Sequence, residues 1–308
     1  MNVVFFGTPE FSLPTLRALF NSRHQVVGIV SAPAKPIGRG RMVKQTPVAM
    51  EAGAIGLPLL QPEKLKDPDF LASLKAWQAD VFVVVAFRIL PDEVLSQPRY
   101  GAVNLHASLL PAYRGAAPIQ WALWNGETET GITVFRIEKS VDTGNILKQI
   151  RVKILSEDDA GTLAERLAVI GADLMVQTLD ELERGELQPY PQDHRLATAA
   201  PKITREHCEI DWRRTAVEIH NQIRALSPEP GAGSWFDHRY WKFYKSEVES
   251  ADDPLAAGEM LIRDDRILLG TGNGVLRITE LQVQGRKRMM VEEFLRGFRF
   301  RGKLKSKR

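Results

Sequence analysis

Val81-Phe-Val-Val-Val-Ala86 is apolar at every position. A strand built from it must bury both faces, as a central strand of a parallel sheet does when helices cover each side. Working outward, residues 3–7 and 26–30 precede it as short apolar runs, and residues 102–105 and 132–137 follow it. Helical patterns fall between and after them, near residues 12–22, 47–54, 69–79, 116–124 and 161–184. Strands alternating with helices predict an α/β domain with a mostly parallel sheet and right-handed crossovers.

The chain has 308 residues, enough for two domains that each bury a core. Its 44% hydrophobic and 26% charged residues are those of a soluble globular protein. No apolar stretch approaches the roughly 20 residues of a membrane span, and the opening Met1-Asn-Val-Val-Phe-Phe-Gly7 reads as a buried strand, not a signal peptide. Cys208, the single cysteine, has no partner for a disulfide, which points to a reducing cytoplasm. The net charge of +3 is unevenly spread. Residues 285–308 hold ten Lys/Arg against two Glu, a local +8, so the remainder carries −5. Such a basic end suits a polyanionic partner, and Phe294, Leu295, Phe298 and Phe300 within it call for burial.

Residues 188–206 are polar and proline-bearing, as an inter-domain linker would be. Beyond them, residues 210–226 carry a helical pattern, broken by Pro228-Glu-Pro-Gly-Ala-Gly. Short strands are then expected at 234–236, 241–248, 267–270 and 275–283, with turns such as Gly272-Asn-Gly274, which suggests a small β-barrel. The division expected is 1–188, a linker at 189–206, and 207–308.

Several signatures fail. Gly7-Thr-Pro-Glu follows the first strand but lacks the later glycines of a dinucleotide fingerprint. Residues 297–303 imitate part of a phosphate loop, yet Leu304 stands where Ser or Thr would hold magnesium. The six histidines show no ligand spacing, so no metal site is expected. More productive is Asn104-Leu-His106, which ends a strand ahead of a proline- and glycine-bearing loop. Alternation puts Asn104 and His106 on one face, and an amide beside an imidazole can stabilise an oxyanion while moving a proton. Asp142 lies in the loop Ser140-Val-Asp-Thr-Gly144 after another expected strand, so both loops should open at the same sheet edge. There the carboxylate would set the tautomer of His106. Asp142 read alone equally suits an Asx turn.

Asn104-Leu-His-Ala-Ser-Leu-Leu-Pro-Ala-Tyr-Arg-Gly-Ala-Ala-Pro-Ile with Asp142-Thr-Gly resembles the folate-dependent formyltransferase superfamily. From end to end the chain is similar to its bacterial branch acting on methionyl-tRNA. The opening Phe-Phe-Gly-Thr-Pro-Glu-Phe, the loop Lys35-Pro-Ile-Gly-Arg-Gly-Arg41, Ile210-Asp-Trp212, residues 223–231 and Gly285-Arg-Lys-Arg-Met289 carry that likeness. The resemblance implies a Rossmann-like formyltransferase domain and a C-terminal OB-like barrel. It implies transfer of a formyl group from 10-formyltetrahydrofolate to the α-amine of methionyl initiator tRNA, with Asn104, His106 and Asp142 catalytic. Phe87, Arg88, Ile89 and Leu90, together with Ser108, Leu109, Leu110 and Pro111, match positions around the folate. Arg88 departs from the commoner pattern of that loop. Lys35, Arg39, Arg41 and Lys44 form a basic loop after the second strand, and with Arg286, Lys287 and Arg288 they are the expected tRNA contacts. A cytoplasmic monomer without a membrane partner is the simplest expectation. Two other readings stay open on sequence: a formyltransferase acting on an amino-sugar nucleotide or small amine, and a non-catalytic RNA-binding protein.

Overall fold

A computed structural model describes residues 1–37, 42–249, 255–263, 265–298, 300 and 302–307. The chain gathers into two compact units. The first holds Met1–Gly115, Glu129–Lys153 and Ala164–Ala200, and the second holds Ala116–Thr128, Ile154–Leu163 and Pro201–Arg308.

In the first unit, strands β1 (Asn2–Gly7) and β2 (Gln25–Val30) are followed by a small hairpin, β3 (Lys35–Ile37) and β4 (Met42–Lys44). Then come β5 (Leu59–Leu60), β6 (Val81–Val85), β7 (Ala102–His106), β8 (Glu129–Arg136) and β9 (Ile146–Lys153). The main sheet has the order β5-β2-β1-β6-β7-β8-β9. Its first five strands are parallel, in the spatial order of the first five strands of a doubly wound dinucleotide-binding sheet, with the switch point between β1 and β6. The two added strands run antiparallel. Helices α1 (Leu13–Phe20), α2 (Pro47–Ile55) and α3 (Pro68–Ala76) make the early crossovers. α2 starts at residue 47 as expected, whereas α3 starts one residue before the expected 69–79 and ends three short of it. Thr46 and Asp67 turn their side-chain oxygens onto the first free amides, and proline occupies the first helical position. β6 is buried throughout, as its apolar run requires. Phe82 and Val84 pack with Phe6, Phe70 and Leu74 on one face. Short α4 (Asp92–Leu95) adds Val94 to that cluster.

The second unit includes α5 (Pro118–Trp124) and the first residues of α6 (Ala160–Arg184). The predicted helix over 210–226 is shorter: α7 spans Ala216–Ala225. Thr215 supplies the reason, because it caps the helix in a reciprocal box with Glu218. Ahead of it, Ile210 pairs its amide with Gly233 and Trp212 drives its ring into the barrel core.

Seven strands follow: β10 (Ala232–Phe236), β11 (Arg239–Glu249), β12 (Glu259–Arg263), β13 (Arg266–Gly270), β14 (Val275–Val283), β15 (Met289–Met290) and β16 (Gly302–Lys307). The order β11-β10-β16-β12-β13-β14 returns to β11, closing a six-stranded antiparallel barrel, with β15 appended to β14. β10 and β11 turn through Asp237 and His238, both at positive φ, as a tight hairpin demands. Trp212, Phe236, Trp241 and Phe243 fill the interior beside Phe294 of α8 (Val291–Gly297). The basic C-terminal segment is therefore no free tail: it contributes a helix and a stave of the barrel.

Candidate active site

β7 presents alternate residues to opposite sides of the sheet. Leu105 packs on α6 so closely that a Cβ added to Gly171 would lie 2.8 Å from Leu105 Cδ1. Asn104 and His106 take the other face, beside Phe135, whose ring meets the imidazole edge-on at 6.4 Å. The His106 side chain is 7% exposed. Its Nε2 lies 2.8 Å from the Tyr113 carbonyl oxygen. A carbonyl only accepts, so a neutral ring would carry its proton on Nε2 and leave Nδ1 as an acceptor. Asn104 holds its carboxamide oxygen buried and unpartnered, a feature that a native interior rarely tolerates without a ligand or water.

The expectation that the Asp142 loop opens at the same sheet edge as His106 is corrected. It presumed a parallel strand, whereas β8 is antiparallel to β7, and its exit lies beside the start of β7, where the Ile137 amide donates to Ala102 O. Asp142 nonetheless comes back to the site, because five-residue β7 is short enough for the loop to reach across. Asp142 Oδ2 stands 3.8 Å from His106 Nδ1 and accepts the Gly115 amide at 2.9 Å. Asp142 itself has φ of +54°, a conformation that aspartate tolerates better than most side chains.

The segment expected as linker runs with the first unit as far as Ala200. Tyr190 exchanges both backbone bonds with Ile146. Gln192 donates from Nε2 to the carbonyls of Asp142 (2.9 Å) and Gly144 (2.8 Å), and accepts from Arg114 Nε at 3.1 Å. Thr198 accepts the Tyr113 and Arg114 amides on its Oγ1 and carbonyl, both at 2.8 Å. Sequence reasoning assigned no role to Tyr113, Gln192 or Thr198, since bonds to main-chain atoms leave no residue pattern to read.

The expected folate positions divide by environment. Leu90, Ser108 and Leu110 are buried. Ser108 Oγ donates to Ala112 O, and Thr133 ties the Ser108 carbonyl and Leu110 amide together. Leu109 packs over Gly131, and Pro111 follows a cis peptide. Phe87 meets Phe6 edge-on, and the Arg88 guanidinium lies over its ring. Arg88 also donates to the carbonyls of Pro62 and Glu63, and burial lowers its pKa. Ile89 is 73% exposed, an apolar side chain offered to solvent.

Among the expected tRNA contacts, Arg39 and Arg41 lie outside the described residues. Lys35 and Lys44 face each other in the β3–β4 hairpin and are exposed. Lys287 is exposed; Arg286 lies over the Phe294 ring. Arg288 is held by both Glu280 oxygens and stacks on Tyr244, and the Glu280 bond raises its pKa. Its charge is largely answered within the barrel. The second unit also contains a cleft of about 660 Å3 that the sequence did not signal. Trp235, 41% exposed, lines it with Tyr240, Arg205 and Lys242. Among the described residues, no helix is long and apolar enough to cross a membrane, and no cluster of His, Cys, Asp or Glu could hold a metal ion.

An α/β unit with an Asn/His/Asp cluster, followed by a β-barrel, has counterparts among known proteins. Residues 1–179 match the sequence model described as formyl transferase, and residues 202–299 match that of the formyl transferase C-terminal domain. The class is thus a two-domain formyl transferase. A methionyl-tRNA formyltransferase of Pelotomaculum thermopropionicum is 45% identical over 300 residues, covering 96% of each chain. One from a Synechococcus species is 46% identical over 313 residues, covering 98% of this chain and 97% of its own. The chain belongs to the methionyl-tRNA formyltransferase family. The fold is shared more widely. The crystal structure of WlaRD, a sugar 3N-formyl transferase in the presence of dTDP and 5-N-formyl-THF, superposes with a TM-score of 0.67 at 18% identity, covering 93% of this chain and 99% of that one.

Proposed function

We propose that the protein transfers the formyl group of 10-formyltetrahydrofolate to the α-amino group of methionyl initiator tRNA, giving N-formylmethionyl-tRNA in the cytoplasm. The observation that carries this reading is the meeting of Asn104, His106 and Asp142, two residues of one strand and one of a distant loop, around an unpaired carboxamide oxygen. Full-length similarity to methionyl-tRNA formyltransferases favours the tRNA acceptor over an amino-sugar nucleotide. The fold alone does not choose between them, since WlaRD shares it.

The amine must attack as the free base; a free α-amine has a pKa of about 8, and the adjacent ester lowers it, so the unprotonated form is available near neutrality. Its lone pair forms the new N–C bond to the formyl carbon while the carbonyl electrons move onto oxygen. The NH2 of Asn104 donates to that oxyanion, and its oxygen accepts from the attacking amine. Nδ1 of His106, unprotonated in the neutral ring, takes the amine proton, and Asp142 stabilises the resulting imidazolium. Collapse of the oxyanion breaks the N10–C bond, and the proton passes to N10. The products are tetrahydrofolate and the formylated amine, with no covalent enzyme intermediate.

The backbone of 108–111, ordered by Thr133 and Ser108, and the exposed edge of residues 87–90 suit the folate. Lys35 and Lys44, with Arg39 and Arg41 between them in sequence, suit the acceptor end of the tRNA, and Arg286 and Lys287 its phosphates. Trp235 suits an unstacked base. The domain roles follow: catalysis and folate in residues 1–188, RNA binding in 207–308. The decisive assay combines purified protein, 10-formyltetrahydrofolate and charged initiator tRNA, omitting each in turn, with an amino-sugar nucleotide as rival acceptor. Formylated methionyl-tRNA appearing only in the complete mixture supports the proposal. No transfer to tRNA, or preference for the sugar nucleotide, overturns it.

A further inference from the structure

We infer that residues 190–200 form a strap whose side chains Gln192 and Thr198 position the catalytic loops; the inference rests on the reaction proposed above. Gln192 is buried, and its amide is fully used: two donors on the carbonyls of Asp142 and Gly144, one acceptor on Arg114. Those bonds land on two separate loops. One carries Asp142, and the other carries the carbonyl of Tyr113 that takes His106 Nε2–H and the amide of Gly115 that donates to Asp142. Thr198 holds the second loop again through the Tyr113 and Arg114 amides, and the Ala200 amide donates to Arg114 O at 2.6 Å. Tyr113 sits at φ +60° and Asp142 at +54°. Aspartate tolerates that region, whereas a tyrosine held there points to surroundings that fix the loop.

Only glutamine offers two donors and an acceptor at this reach. Glutamate keeps the acceptor for Arg114 but sets oxygens against the two carbonyls. A strap that merely filled space would tolerate that exchange at the chemical step. One that positions Asp142 would not.

The test is Gln192→Glu in the full chain, read by single-turnover formyl transfer and by amide hydrogen exchange. Transfer should slow at least tenfold, while half-saturation by 10-formyltetrahydrofolate stays within threefold. Exchange at the Gly115 amide, which reports directly on the Asp142 carboxylate, should accelerate at least tenfold, with exchange in barrel strand β11 unchanged. In an Asp142→Ala background the same substitution should cost less than threefold more. Gly115 exchange unaltered, or the full penalty repeated in the Asp142→Ala background, overturns the inference. Should Gln192→Glu fail to fold, Thr198→Val, which removes only the acceptor for the Tyr113 amide, decides in its place: faster Tyr113 exchange with slower transfer supports the strap, and neither change refutes it. A parent protein that formylates no tRNA would refute the proposed function, yet the exchange measurement would still decide the strap.

Discussion

Replacing Asp142 by asparagine keeps the volume of the side chain and removes its charge, so it isolates the electrostatic contribution to the transition state. Asp142 Oδ2 stands 3.8 Å from His106 Nδ1, and its side chain is 11% exposed. Two unit charges at that separation interact by about 4 kcal/mol at an effective dielectric of about 20. Before proton transfer the proposed base carries no added charge on Nδ1, and little is lost. In the proposed transition state Nδ1 has taken the amine proton, and the missing carboxylate would be felt in nearly full measure. The introduced carboxamide can still accept from Gly115 N–H on the oxygen that also faces Nδ1, so the hydrogen bond survives and the lost charge is what the substitution reads. Asp142→Asn should therefore lower the chemical rate by about 10²- to 10³-fold, corresponding to about 3–4 kcal/mol of barrier. Half-saturation by the folate and by tRNA should move less than threefold. The assay is a rapid-quench single turnover with excess enzyme and labelled formyl donor. A rate within fivefold of the parent would refute the ion-pair argument, and a large loss accompanied by a collapse in melting temperature would reassign Asp142 to structure.

Asn104→Ala should slow single turnover by about 10²- to 10³-fold, the usual cost of an oxyanion donor, while leaving thermal stability close to the parent because the buried oxygen has no partner to lose. Gly115→Ala should be among the most damaging small substitutions: φ is +126° and the new Cβ would stand 2.5 Å from the Ala200 carbonyl oxygen, so a loss of about 2–4 kcal/mol is expected in denaturant unfolding. Asp211 accepts from Arg213 at 2.8 and 2.7 Å, and these bonds bring its pKa down from 3.8 to about 2. Its contribution to stability is thus present above pH 3.8 and fades as pH falls toward 2; the melting temperatures of parent and Asp211→Asn should converge over that interval, and a constant gap would contradict the assignment. Replacing Arg286 and Lys287 by Ala should weaken tRNA binding and flatten its dependence on salt, with no change in folate saturation.

How far the sequence spoke depended on which force shaped each element. Strands β1, β2, β6 and β7 are apolar runs forced into the interior, and hydropathy marks them plainly. The direction of β8 is not marked, because an antiparallel neighbour needs the same buried residues as a parallel one; the placing of the Asp142 loop failed for that reason. β12 and β16 were missed differently. In β16 the alternation of Lys303, Leu304 and Lys305 is a strand pattern, but one apolar residue among lysines reads first as a charged tail. Asn104 and His106 share a face as their spacing required, and Asp142 joins them although the path assumed for it was wrong. Gln192 was illegible because all it holds is main chain and one guanidinium.

β16 has a practical consequence for anyone who wishes to strip the basic end from this protein. It hydrogen-bonds to β10 on one side and β12 on the other, so shortening the chain by a handful of residues would unzip the cylinder and bare two raw edges to aggregation. Charge and closure occupy the same stave, with Lys303 and Lys305 outward. Neutralising lysines one at a time leaves the cylinder shut; truncation cannot distinguish a lost grip on RNA from a burst barrel.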